Sequence, residues 1–236
     1  MLKPQGRVVL VSGANRGIGR AIAERLHADG YCLSLGVRRP EAVADWKMFA
    51  DGRAHVHPFE ARDTDAPARW VQAAVARFGR LDAVVNNAGV VRRFTFDQLD
   101  EAALDEMWEV NLKTPYRVIV AALPHLKAAG TGRIVNLVSL AGLRYGGGSP
   151  GYSMTKFAAM ALTDIARNFA FKDGVRATAI CPGSTNTEFI AGHMPVDGAK
   201  ITQAEDLAEI VSRVLTLPNE ASVSYIPVNW TAEANL

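Results

Sequence analysis

Two side chains that together can move a proton lie four residues apart in a predicted helix, at Tyr152 and Lys156. Residues at positions i and i+4 share one face of an α-helix. A neighbouring ammonium group favours a phenolate, so we expect Lys156 to lower the pKa of Tyr152 from its ordinary value of about 10. Tyr152 would then serve as a general acid or base. The same pair also occurs on ordinary helix surfaces, so the interpretation needs support from the rest of the chain.

A third polar group, the hydroxyl of Ser139, stands at the end of the predicted fifth strand, thirteen residues before Tyr152. Ligands of open α/β sheets bind at the carboxyl ends of the strands. The Ser139 hydroxyl is therefore predicted to hydrogen-bond a substrate oxygen close to Tyr152.

A glycine-rich turn, Ser-Gly-Ala-Asn-Arg-Gly-Ile-Gly over residues 12–19, follows the first predicted strand and leads into a helix. Without side chains, the main chain can approach a pyrophosphate closely, and the helix N-terminus presents unpaired N–H groups to it. A glycine-rich turn without a ligand is the alternative. The position in the first strand-to-helix turn favours a dinucleotide site.

The choice between NAD and NADP depends on the end of the second predicted strand, which reads Gly-Val-Arg-Arg over residues 36–39. An NAD-binding protein of this architecture usually carries an acid there for the ribose 2′-hydroxyl. Arg38, together with Arg16 in the glycine-rich turn, could instead hold a 2′-phosphate through charge-assisted hydrogen bonds. The sequence therefore favours NADP(H) over NAD. Two solvated surface arginines are the alternative.

The strands and helices that would position these groups can be predicted from the hydrophobic pattern. Short apolar runs alternate along the chain with longer amphipathic stretches. Predicted strands cover residues 7–11, 31–37, 55–60, 83–85, 133–139, 176–180 and 223–228, and predicted helices cover 18–29, 66–78, 99–128, 152–171 and 204–215. This order is typical of a doubly wound α/β sheet with right-handed crossovers. We predict one domain over residues 1–236, with a candidate lid at about 184–200, where periodicity is lost.

Composition and charge exclude several classes of protein. The 236 residues are 49% apolar and carry a formal net charge of +2 without blocks of like charge, which argues against nucleic-acid and membrane partners. Apolar stretches such as 118–123 are much shorter than the ~18 residues needed to cross a bilayer. We expect a soluble, cytoplasmic protein without a metal site, in which Cys32 and Cys181 are free thiols.

The motifs taken together resemble the short-chain dehydrogenase/reductase family. The glycine-rich turn, Asn-Asn-Ala-Gly at 86–89, Asn111, Ser139, the Tyr152/Lys156 pair and Pro-Gly at 182–183 occur in the family's order and spacing. The resemblance covers nearly the whole chain. It implies a Rossmann-like, doubly wound three-layer sandwich with a seven-stranded parallel sheet.

The resemblance also implies roles for individual residues. Tyr152 would donate or accept the proton, Lys156 would hold the nicotinamide ribose and lower the pKa of Tyr152, and Ser139 would orient the substrate oxygen. Asn111 would distort its helix and retain a water that links Lys156 to solvent; a satisfied polar group is the alternative. Asn86 is expected to tie neighbouring strands together. The implied cofactor-binding residues are Gly13, Asn15, Arg16, Gly17, Ile18, Gly19, Arg38, Glu60, Asn87, Ala88, Gly89, Tyr152, Lys156, Pro182, Gly183 and Thr187.

The activity that the resemblance implies is an NADP(H)-dependent interconversion of a carbonyl (ketone or aldehyde) and an alcohol by hydride transfer. A non-catalytic dinucleotide-binding or redox-sensing protein and an NAD-dependent alcohol dehydrogenase are the alternatives. The small-molecule substrate stays open, including any contact from Arg144 or the lid. Apolar residues on helices 99–128 and 152–171 indicate a homodimer or homotetramer. Two departures are Glu60, where an aspartate is common, and a carboxyl terminus that lacks the Val-Asp-Gly-Gly ending of certain tetrameric members.

Overall fold

Seven parallel strands alternate with helices in the computed structural model, which describes residues 1–188 and 200–232. The strands of the main sheet are β1 (Val8–Ser12), β2 (Cys32–Val37), β3 (Ala54–Pro58), β4 (Ala83–Asn86), β5 (Arg133–Leu137), β6 (Arg176–Pro182) and β9 (Tyr225–Val228). The α-helices are α1 (Gly17–Asp29), α2 (Ala66–Phe78), α3 (Glu101–Trp108), α4 (Thr114–Ala128), α5 (Pro150–Ala170) and α6 (Ala204–Thr216). Every predicted strand is present, with ends shifted by a few residues, and so is every predicted helix except 99–128, which is divided into α3 and α4.

The strand order β3-β2-β1-β4-β5-β6-β9 makes β1 and β4 neighbours, although β2 and β3 lie between them in the chain. From β1 the chain therefore winds outward in one direction through β2 and β3. It then returns to the centre and winds in the other direction through β4, β5, β6 and β9. All pairings are parallel, so the carboxyl ends of the strands share one edge. Ligands of such sheets bind in the crevice where the winding direction changes.

Helices cover both faces of the sheet, which confirms the predicted Rossmann-like three-layer architecture. Helices α1 and α6 pack on the face that contains Val9 and Val11, whereas α2, α4 and α5 pack on the face that contains Val8 and Leu10. The side chains of alternate β1 residues thus pack against opposite helix layers, as the two-residue period of a strand requires. Because both faces are covered, the strands read as continuous apolar runs.

Close packing of α2 on the sheet fixes the end of β2, where the predicted cofactor arginine stands. Trp70 of α2 is fully buried, and its indole N–H donates to the Ser34 hydroxyl at 2.9 Å. A Cβ atom at Gly36 would lie only 2.9 Å from the Trp70 ring. Gly36 therefore lets the indole lie against the strand two residues before Arg38.

The predicted helix 99–128 is interrupted where the resemblance implied a distortion. A π-helical turn at Glu109–Lys113 separates α3 from α4 and contains Asn111. The Thr114 hydroxyl donates to the carbonyl of Glu109 at 3.0 Å, and Arg117 and Lys113 both pair with the Glu109 carboxylate. Such π-turns are frequent at functional sites because they displace one side chain from the regular helical spacing.

Two short strands pair in parallel here: β7 (Thr185–Asn186) lies at the start of the predicted lid, and β8 (Thr202–Gln203) follows its end. The sequence did not predict them, because two residues are too few to show a period. Residues 189–199 of the lid lie outside the described residues. Among the helices that the structure describes, none is long and apolar enough to cross a membrane.

Candidate active site

The glycine-rich turn lies at the carboxyl end of β1 and leads into α1. Gly13 and Gly17 have φ angles of 65° and 50°, in the left-handed region that favours glycine. Gly19 is needed for close packing, since a Cβ atom there would lie 2.2 Å from the Gly13 carbonyl oxygen. Helix α1 begins at Gly17 without a side chain that caps its first N–H groups. These N–H groups remain available to an anion.

Side chains at the ends of β1 and β4 join the two halves of this site. The Ser12 hydroxyl accepts the backbone N–H groups of Asn87 at 3.0 Å and Ala88 at 3.1 Å. The Asn87 amide donates to the carbonyls of Ser12 and Gly13, at 3.0 and 3.1 Å. Asn86 donates to Asn136 on β5 at 2.8 Å, which confirms that it ties neighbouring strands together.

A cavity of about 580 Å³ extends from the glycine-rich turn to Tyr152. Sixteen of the eighteen predicted site residues line it: Gly13, Asn15, Arg16, Gly17, Ile18, Arg38, Glu60, Asn87, Ala88, Gly89, Ser139, Tyr152, Lys156, Pro182, Gly183 and Thr187. The other two, Gly19 and Asn111, are not among its lining residues. Gly19 supports the turn, and Asn111 holds the segment that follows β4.

Four arginines line the nucleotide end of this cavity: Arg16, Arg38, Arg39 and Arg62. All four are exposed, and none forms an ion pair with the described residues. Their charges, the uncapped start of α1 and the side-chain-free turn together fit a polyphosphate group. The residues present therefore have the chemistry to hold the phosphate groups of a nicotinamide dinucleotide.

Sequence reasoning missed Arg39 and Arg62 as lining residues, together with Glu106 and Val110. The signal for Arg62 was its position two residues beyond Glu60, at the carboxyl edge of the sheet. Glu60 lines the cavity, and its carboxylate also accepts the N–H of Arg62 at 3.1 Å.

Tyr152, Ser139 and Lys156 meet at the opposite end of the cavity. Tyr152 and Lys156 lie on consecutive turns of α5, with the Lys156 ammonium nitrogen 5.5 Å from the centre of the Tyr152 ring. Lys156 is buried, and its Nζ donates to the carbonyl of Leu137 at the end of β5, at 3.0 Å. The carboxyl end of β5 therefore positions both Ser139 and the Lys156 ammonium.

The pKa of Tyr152 was expected to lie below its ordinary value, but in this structure it lies above it. Burial raises the pKa of Tyr152 to about 12, and a hydrogen bond with Ser139 lowers it only in part. Burial also lowers the pKa of Lys156 to about 8, because a desolvated ammonium favours its neutral form. The phenol is thus protonated at neutral pH, the form needed to donate a proton to a carbonyl oxygen.

Asn111 uses its side chain to hold two elements together. Its Nδ2 donates to the carbonyl of Val90 at 2.9 Å and to the hydroxyl of Thr155 at 3.1 Å. Its Oδ1 accepts the N–H of Val90 at 2.8 Å. The Asn111 side-chain amide has all these hydrogen-bond partners within the protein. A water molecule bound at Asn111 would therefore contact its main-chain carbonyl.

Several loop residues close to the site in sequence, including Arg144, do not line the cavity. Arg92 pairs with Glu106, with Nε and Oε2 2.7 Å apart. Phe94 lies close to Gly151, where a Cβ atom would come within 2.7 Å of its ring. Arg144 is not among the described residues that line the cavity. Phe189, Ile190, His193 and Met194 lie outside the described residues.

A parallel sheet with a glycine-lined cavity at its switch point defines an α/β dinucleotide-binding protein. Comparison with known families makes this more specific: the model of the short chain dehydrogenases matches residues 7–195. The chain belongs to this family, the short-chain dehydrogenases/reductases.

One relative and two solved structures show the extent of the similarity. Over 224 residues the chain is 38% identical to agropine synthesis reductase of Rhizobium rhizogenes; the match covers 94% of the chain but only 51% of that longer protein. Levodione reductase superposes with a TM-score of 0.87 at 26% identity, over 96% of this chain and 97% of its own. An alcohol dehydrogenase of Thermococcus sibiricus, complexed with 5-hydroxy-NADP, superposes with a TM-score of 0.85 at 29% identity, over 98% and 99%.

Proposed function

We propose that the protein is an NADP(H)-dependent oxidoreductase that interconverts a ketone or aldehyde with the corresponding alcohol. The observation that carries this proposal is that one cavity has four arginines at one end and Tyr152, Ser139 and Lys156 at the other. One of the similar structures is named a reductase and another an alcohol dehydrogenase. These two names describe the two directions of the proposed reaction. The alcohol dehydrogenase structure contains an NADP derivative.

In the reduction direction, the bound cofactor supplies the hydride and the protein supplies position and charge. The Ser139 hydroxyl donates a hydrogen bond to the substrate carbonyl oxygen. Tyr152 transfers its phenolic proton to the same oxygen as negative charge develops there. The Lys156 ammonium, 5.5 Å from the Tyr152 ring, stabilises the phenolate that remains.

The pH dependence of this reaction follows from the pKa of Lys156. Below its value of about 8 the ammonium is charged and stabilises the Tyr152 phenolate; above it the charge is lost. We expect kcat for reduction to fall as the pH rises through about 8, measured as NADPH oxidation at saturating substrate. Tyr152, with a pKa of about 12, keeps its proton across this range. A rate that stays constant from about pH 7 to about pH 9 contradicts this assignment.

The general test is NADPH oxidation with a panel of diketones, quinones, oxo acids and aldehydes. Turnover of at least one carbonyl supports the proposal, and the substrate with the highest kcat/KM defines the class. Tight NADPH binding without any turnover would instead indicate a dinucleotide-binding or redox-sensing protein. A higher kcat/KM with NADH than with NADPH would indicate an NAD-dependent enzyme.

The proposed assembly is a homodimer through the exposed apolar face of α4 and α5. Tyr116 and Val120 on α4, with Ile165 and Phe169 on α5, are between 55% and 69% exposed. Both helices pack on the same face of the sheet, and large apolar side chains left exposed together on a folded protein favour an interaction site. Replacing Ile165 and Phe169 together with Glu should convert the dimer to a monomer in light scattering. An unchanged mass would contradict the interface.

A further inference from the structure

A fully buried threonine lies between the two residues that carry the proposed proton transfer. Thr155 is 0% exposed, and its hydroxyl donates to the carbonyl of Tyr152 at 2.8 Å. In an α-helix this carbonyl also accepts the N–H of the residue four positions later, which is Lys156. The Thr155 hydroxyl therefore bonds to the Tyr152 carbonyl oxygen, the same atom that accepts the helical hydrogen bond from the Lys156 N–H.

The same hydroxyl is the end of a hydrogen-bond chain that begins at the cavity wall. Val90 lines the cavity, and both of its backbone polar groups bond to the Asn111 amide. Asn111 then donates to the Thr155 hydroxyl at 3.1 Å. Three elements that are remote in the chain meet here: the segment after β4, the π-turn and the first turns of α5.

We propose that Thr155 is a positioning residue that, through Asn111, holds Tyr152 and Lys156 in register with the cavity wall after β4. This inference rests on the proposed function, since it assigns the purpose of the link to proton transfer. Hydroxyls that bond back to a helix carbonyl change the local helix direction. Because small displacements of reacting groups have large effects on rate, loss of this bond alters kcat more than it alters folding.

Helix α5 contains a matched control two turns further on. Thr163 is 2% exposed, its hydroxyl donates to the carbonyl of Ala159 at 2.7 Å, and it accepts from the Asn136 amide at 2.8 Å. The arrangement repeats that of Thr155, but neither Tyr152 nor Lys156 takes part in it. A Thr163→Val variant therefore measures what the loss of such a link does to the helix alone.

The experiment compares Thr155→Val, Thr155→Ser and Thr163→Val. We expect Thr155→Val to lower kcat about tenfold, the result of losing one buried hydrogen bond from the reacting arrangement. The alkaline fall in rate should move to higher pH as Lys156 becomes more hydrated. Thr155→Ser, which keeps the hydroxyl, should recover most of kcat. Thr163→Val should lower Tm by about as much as Thr155→Val does, but it should leave kcat and the pH profile unchanged.

Equal effects of Thr155→Val and Thr163→Val on kcat, or no recovery in Thr155→Ser, would overturn the inference. A second measurement on the cofactor-free protein separates it from the proposed function. Amide hydrogen exchange at residues 154–156 should be faster in Thr155→Val and unchanged in Thr163→Val; equal exchange in both overturns the positioning role. A wild-type protein without turnover of any carbonyl, but with this exchange difference, would overturn only the proposed function.

Discussion

Replacing Tyr152 with Phe is expected to lower kcat for carbonyl reduction by about 10²–10⁴-fold, the range that a positioned general acid contributes. The substitution removes one oxygen atom and keeps the ring that lines the cavity. No other phenol lines this cavity among the described residues. Steady-state NADPH oxidation measures the loss, and fluorescence titration should show that NADPH still binds.

The matched control for this variant is Tyr225→Phe. Tyr225 lies on β9, is 46% exposed and does not line the cavity in the described part of the chain, so the same change there should leave kcat unaltered. A Tyr152→Phe protein that retains more than about a tenth of wild-type kcat would mean that another group or water supplies the proton.

Replacing Arg38 with Glu is expected to reverse the cofactor preference. The substitution removes a cation at the end of β2, where an acid would accept the ribose 2′-hydroxyl of NAD and repel a 2′-phosphate. Loss of one or two charge-assisted hydrogen bonds predicts a change of roughly 10²–10³-fold in the ratio of kcat/KM for NADPH to that for NADH. Initial rates with each cofactor at one fixed substrate concentration measure this ratio.

Lys172→Glu provides the control for this change in charge. Lys172 is exposed and follows α5, at the end of the molecule away from the cavity, so its replacement alters the net charge equally without touching the site. An Arg38→Glu ratio that matches the Lys172→Glu ratio would place the 2′-phosphate contact elsewhere. Arg39 and Arg62 would then be the next residues to test, because both line the same end of the cavity.

Much of the fold could be predicted because its signals are local. Seven apolar runs and their intervening helices gave the parallel α/β order, and residues 223–228 gave the last strand despite a weaker pattern. The interruption of the helix 99–128 came only from the family resemblance, since its apolar spacing continues through the π-turn. The pairing of β7 with β8 gave no signal at all, because each strand has two residues.

The candidate site divides in the same way. The glycine-rich turn and the Tyr152/Lys156 pair could be predicted from the sequence, since each depends on the geometry of a single turn or helix. The position of Arg62 two residues beyond Glu60 indicated only that it is near this edge of the sheet, because its place in the cavity wall depends on how the segment after β3 folds beside the end of β2. The role of Thr155 required the position of Asn111, which lies 44 residues earlier in the chain.

By itself, the sequence determined which chemical groups are present and which of them share a turn, because helix and strand periods are properties of the local chain. Only the tertiary structure decided the direction in which the pKa of Tyr152 moves. Proximity to Lys156 along α5 predicted a lower value, but burial of the phenol raises the pKa to about 12 against the lowering effect of the Ser139 hydrogen bond. Desolvation depends on every element that packs around a group, and no spacing along the chain contains that information.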